Sequence, residues 1–231
     1  MKKIILAACT LLAARSLAVA DGSVAAAPDL KNVVLSRDGR QMMVMPSQKT
    51  MNTPSTPYRT SADRAIFDNL NEKYPHGTYY CCYGWIVGGP SSIAGQLWLA
   101  AAFTPTTDAT VGKIVVPIGY AGGENEVIVT LNSDASGLPG AELASFHLTG
   151  SPPFGTCCVV AKWKDRAGTP VIGGQQYWIV VKTSGNSTFY GEWNSNTTEL
   201  INDIPVAANR GSGWQISFTH PTMAFGVFAQ K

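Results

Sequence analysis

From residue 65 to residue 228 the chain is written as short β-forming runs cut apart by turn signals. No stretch carries a 3.6-residue apolar period for more than two turns. Residues 65–68, 96–103, 113–120, 126–131, 142–148, 176–182, 214–219 and 223–228 are apolar runs or alternate apolar with polar residues. Within 126–131, Val127, Val129 and Leu131 fall on one face of a strand. Between the runs stand Gly88-Gly89-Pro90, Gly122-Gly123, Ser136-Gly137-Leu138-Pro139-Gly140, Gly173-Gly174 and Ser184-Gly185-Asn186, residues that turn a chain. Residues 63–72 could hold one short helix at most. Many short strands at this spacing predict an all-β fold, an antiparallel β-sandwich of jelly-roll-like winding.

The first 20 residues obey different rules. Lys2-Lys3, an apolar run from Ile4 to Ala14, and Ala18-Val19-Ala20 before Asp21 make the pattern of an export signal. That run is shorter than the about 20 residues needed to span a bilayer. Leu6-Ala7-Ala8-Cys9 resembles a lipobox, but the apolar stretch before Cys9 is too short for a signal core, so cleavage after Ala20 is the expectation. Removing residues 1–20 leaves 14 of the 17 basic residues against 15 acidic ones. A near-neutral chain gives nucleic acid or an anionic membrane no electrostatic purchase, and neither is expected as a partner. No second long apolar segment follows. The expected product is secreted or periplasmic, with no membrane span.

Residues 21–63 are expected to be an extended, flexible N-terminal segment ahead of a sandwich domain at 64–231. The segment is rich in Ala, Ser, Thr and Pro. It holds one hairpin signal, Asp38-Gly39 between the β-forming runs 32–37 and 40–45. Met42, Met43, Met45 and Met51 carry thioethers that suit Cu(I), but no His or Cys stands near them, and apolar packing is the simpler role.

Export moves the cysteines out of the reducing cytosol, so Cys81, Cys82, Cys157 and Cys158 read as disulfide partners. Neighbours in a doublet have Cα atoms about 3.8 Å apart, below the about 4.4–6.8 Å a disulfide usually spans. The bridges therefore link one doublet to the other. The closed loop of about 76 residues would contribute about 4–5 kcal/mol by the chain-entropy model. A four-cysteine zinc site is disfavoured, because structural zinc prefers paired ligands separated by two to four residues. No metal and no cofactor is expected.

Among the six tryptophans, Trp98 and Trp178 sit in the most apolar runs and read as core, and Trp85 reads as a plug in a Gly-rich turn. Trp193 lies in a polar stretch in which Tyr190, Glu192 and Asn194 alternate. Rings beside amide and carboxylate groups suit stacking on a sugar face, so Tyr190, Glu192, Trp193 and Asn194 are the candidate ligand-binding residues. The run Asn132-Ser133-Asp134-Ala135-Ser136-Gly137 superficially resembles a calcium loop, but its twelfth position is Leu143, not glutamate. Asn, Asp and Gly also build ordinary turns. His76, His147 and His220 have no acidic or cysteine partner at short spacing, and no catalytic motif is present. Glycoside hydrolysis needs paired carboxylates, and spacing alone cannot pair Glu124, Glu126 or Glu192. No residue is put forward as catalytic.

Four segments, Ile66-Phe67-Asp68-Asn69-Leu70, Ala102-Phe103-Thr104, Gly137-Leu138-Pro139-Gly140 with Glu142-Leu143, and Tyr177-Trp178-Ile179-Val180-Val181, together resemble exported bacterial β-sandwich domains of the choice-of-anchor type. The resemblance covers residues 64–228. It implies a surface or secreted sandwich of uncharacterised activity and supplies no catalytic residues. The chain departs from that group in lacking a C-terminal sorting signal. The expected function is a non-catalytic surface-interaction module, with a glycan or cell-surface polymer as partner. A secreted hydrolase acting on extracellular polymer and a structural envelope protein are the alternatives.

Overall fold

A computed structural model describes residues 33–35, 41–44, 64–70, 83–154, 161–196, 204–217 and 222–230. Fifteen strands run through them: β1 (Val33–Leu35), β2 (Gln41–Val44), β3 (Ala65–Asp68), β4 (Tyr83–Gly88), β5 (Trp98–Phe103), β6 (Ala109–Val116), β7 (Ile118–Gly122), β8 (Glu126–Asp134), β9 (Pro139–Thr149), β10 (Ala161–Val171), β11 (Tyr177–Lys182), β12 (Tyr190–Asn194), β13 (Val206–Asn209), β14 (Trp214–Ser217) and β15 (Gly226–Ala229). Among the described residues there is no helix, and so none long and apolar enough to cross a membrane. The export signal, Cys9, both cysteine doublets, His76 and His220 lie outside the described residues.

The strands pair antiparallel in three sheets, ordered β1-β2-β4-β12-β7, β10-β6-β15-β3 and β14-β13-β5-β11-β8-β9. Pro117 separates the first two. It has no N–H to give a ladder, so the run expected at 113–120 breaks into β6 in the four-stranded sheet and β7 in the five-stranded one. The Pro117 carbonyl still accepts the Asn194 N–H at 3.0 Å. The hairpin signal around Asp38-Gly39 is realised as β1 and β2, with Val33 opposite Met43. β2 then adds to β4, with Met42 opposite Trp85, so the five-stranded sheet draws on both sides of the boundary expected at residue 63.

The main apolar core lies between the sheets, and a smaller cluster of Ala100, Ala102, Trp178, Val180 and Ala207 covers the other face of the six-stranded sheet. Val127, Val129 and Leu131 of β8 and Ile179 and Val181 of β11 are buried in the main core, as strand alternation dictates. Phe225 is its aromatic centre: Phe67 stacks on it at 4.5 Å, while Trp193 and Phe103 meet it edge-on at 6.0 and 6.5 Å. Asn69 fixes that run by accepting from the Phe225 N–H and donating to the Met223 carbonyl. The chain thus forms the expected antiparallel all-β sandwich; its strand orders do not by themselves establish a jelly-roll winding.

Candidate functional site

The residues singled out for ligand contact sit on β12, and β12 is an interior strand. It lies between β4 and β7 and is buried on both faces. Trp193 is 0% exposed, Glu192 0%, Asn194 3% and Tyr190 4%. The Trp193 indole donates to the Ala224 carbonyl at 2.8 Å and packs against Phe225. Tyr190, Glu192, Trp193 and Asn194, expected to contact a ligand, are thus buried, and the two rings belong to the core. Polar residues alternating with apolar ones normally mark a solvated face, but here the second face is covered as well, and its polar groups are inside.

Glu192 shows what that costs. Its cross-strand neighbours are Ile86 and Gly119. A Cβ at Gly119 would overlap Glu192 Oε1, and one at Gly84 would meet Glu192 Cγ at 2.6 Å. The two glycines leave the room the carboxyl occupies. Asn194 Nδ2 donates to Oε1 over a long 3.4 Å. Oε2 finds no partner among the described residues. Burial pushes this carboxyl well above the usual carboxylate range, opposed only by the Asn194 bond, so the site favours the protonated form. Burial, with Glu192 beside it, also raises the Tyr190 hydroxyl.

An accessible polar site lies elsewhere, at the tip of the β8–β9 hairpin. Ala135 and Leu138 exchange backbone hydrogen bonds, and the residues between them, Ser136 (φ 56°) and Gly137 (φ 82°), are both left-handed. That is the two-residue turn whose twist matches a hairpin. The supposed calcium loop is this turn. Its Asp134 is fully engaged: Oδ2 accepts the Gly137 N–H at 2.9 Å, and Oδ1 accepts the Trp178 indole and the Gln176 amide, each at 2.8 Å. Partial burial pushes the Asp134 carboxyl up, but the bonds from Gly137, Trp178 and Gln176 outweigh it and hold it below its ordinary value.

A cleft of about 470 Å³ opens beside this carboxylate, lined by Ser133, Asp134, Leu143, Pro170, Gln175, Gln176 and Tyr177. It runs between β9, the edge of the six-stranded sheet, and the end of β10, the edge of the four-stranded one. Its far wall is braced. Tyr177 accepts the Ile172 N–H at 2.9 Å and donates to Gln175 Oε1 at 3.3 Å, while Asp108 and the Pro105 carbonyl hold the Gly173 and Gly174 N–H groups. Carboxylate, amide and hydroxyl groups stand there beside the apolar sides of Leu143 and Pro170. Such a lining can take a small neutral molecule bearing hydroxyls along with C–H faces.

Sequence spacing missed a further pair. The β8–β9 register sets His147 opposite Ile128, and the diagonal places Glu126 Oε1 against His147 Nδ1. The two side chains are 62% and 37% exposed, so the pair sits in solvent rather than in a pocket. Trp98 and Trp214 are half-buried, the Trp98 indole donating to Thr183. Set against protein-family models, curated proteins and solved structures, the chain has a significant match to none of them.

Proposed function

We propose that the chain is an exported, non-catalytic interaction module that takes a glycan in the cleft at the β8–β9 hairpin tip. One observation carries the reading: an open cleft of about 470 Å³ whose polar groups are held in place before any ligand arrives. Groups already fixed lose little freedom on binding, which favours affinity. Gln175 and Leu143 are exposed at its rim, where an amide and an apolar side chain suit a sugar hydroxyl and a sugar C–H face respectively. The export signal and the likeness to exported choice-of-anchor-type sandwiches supply the setting, a secreted or periplasmic protein meeting cell-surface polymer. The cysteine doublets, oxidised there, would staple the segments around residues 81–82 and 157–158.

A glycan array on the protein lacking residues 1–20, followed by titration of the best ligand, tests this reading. Gln175→Ala should weaken binding about three- to tenfold, the worth of one net hydrogen bond, while the domain stays folded. Ile93→Ala, in an exposed turn that does not line the cleft, should bind like the parent. An empty array, or equal affinity for Gln175→Ala and the parent, defeats the proposal.

A further inference from the structure

We propose that Glu192 is a proton-dependent latch of the five-stranded sheet: the site is shaped for a neutral carboxylic acid, and loss of its proton as pH rises loosens β12 from β4 and β7. This does not depend on the glycan reading.

The geometry has three parts. Glu192 is fully buried, and Gly84 and Gly119 on the two flanking strands leave the space its side chain fills, so the site is built around the longer side chain rather than merely tolerating it. One carboxyl oxygen lacks any donor among the described residues, and the other has a single long bond from Asn194. No cation among the described residues acts on this carboxyl: its cross-strand positions are Ile86 on β4 and Gly119 on β7, and burial and the Asn194 bond are the influences that shift it. Among the described residues, the titratable group shown to act on it is Tyr190, two residues away on the same face of β12, a phenol that can offer it no positive charge. A protonated carboxyl tolerates these surroundings at the cost of an imperfectly bonded polar group. An ionised one is a buried charge with no compensation, which is far worse.

β12 is the strand on which such a charge would act most widely. It joins β4 to β7 in the ladder. Its other face carries Trp193, bonded to Ala224 and packed on Phe225 at the core's centre. Opening the sheet to hydrate Glu192 therefore disturbs Trp193. The sign follows from linkage. The folded state holds the proton more tightly than the unfolded chain, so the contribution to stability is fully present below the unfolded-state pKa near about 4.3. It declines as pH rises and is gone once pH passes the folded-state value.

Denaturant unfolding followed by tryptophan fluorescence, from about pH 4 to about pH 9, tests the latch on the parent chain, Glu192→Gln and Glu192→Met. The parent's folding equilibrium constant should fall with rising pH, by up to about tenfold per pH unit. Both neutral variants should lack that component, and Glu192→Met keeps the comparison open if the amide variant does not fold. Parallel pH profiles for parent and variants overturn the proposal. So does a parent whose stability shows no decline across the range, whatever the variants do.

Discussion

Two carboxyl groups in this sandwich have their proton affinities shifted in opposite directions by their surroundings. Asp134 ends β8 at a hairpin tip, where a backbone N–H, an indole and an amide all point at it and keep it ionised. Glu192 lies in the middle of an interior strand, with one oxygen unpartnered among the described residues, and burial favours its protonated form. Chain position separates them more than composition does. Both come from polar stretches dotted with Asn, Ser and Gly. At a strand end, backbone and side-chain donors are free to converge on a carboxylate. Inside a ladder the backbone donors are already used by the neighbouring strands, and only side chains are left to answer a charge.

The contrast can be broken most forcefully through the ring beside Glu192. Trp193→Ala should destabilise the fold by about 3–5 kcal/mol, as for a buried aromatic, measured by denaturant unfolding. A variant as stable as the parent would return Trp193 to the surface. Next comes the space around the carboxyl. Gly119→Ala should cost about 2–3 kcal/mol, because a methyl there collides with a side chain that has nowhere to go. Part of that loss should be recovered in the double variant with Glu192→Ala. At the hairpin tip, Asp134→Ala should cost about 1–2 kcal/mol by stranding the Trp178 and Gln176 donors. It should also flatten an acid-side trend. A carboxyl whose pKa is lowered on folding contributes stability above the unfolded-state value, near about 3.9, which is lost as pH falls through the folded-state value. The smallest effect belongs to Gly137→Ala, about 1 kcal/mol, since its positive φ is strained for alanine while the space beside it is open.

Much of this fold could be read from residue order, because apolar alternation and turn residues act locally. The run at 65–68 became β3, and the Ser136-Gly137 turn closes the longest hairpin. Strands β10 and β13 are rich in charged or Ala residues that carry little β signal, whereas Tyr83, Trp85, Ile86 and Val87 give β4 a strong one that its two glycines and the neighbouring turn signal obscure. The site was legible only in part. The polar, aromatic stretch at 190–194 marked an unusual strand correctly in kind, but its burial depends on having neighbours on both edges and cover on both faces, which residue order does not encode. The cleft was hidden for the same reason: Asp134, Leu143, Pro170 and Gln175 meet only because two sheet edges come together. By spacing alone, Asp134 suits the start of a calcium loop as superficially as it suits a turn. The partners that hold it, at positions 176 and 178, lie more than 40 residues away.

The most direct measurement is a carboxyl-carbon NMR titration of the intact protein, following Asp134 and Glu192 in one sample, with each resonance assigned by its Asn or Gln substitution. Asp134 should titrate below the ordinary aspartate value of about 3.9, and Glu192 should still be protonated well above the ordinary glutamate value of about 4.3. A Glu192 resonance that titrates with the surface glutamates would mean that its carboxyl is hydrated, and the contrast between the hairpin tip and the central strand would fail.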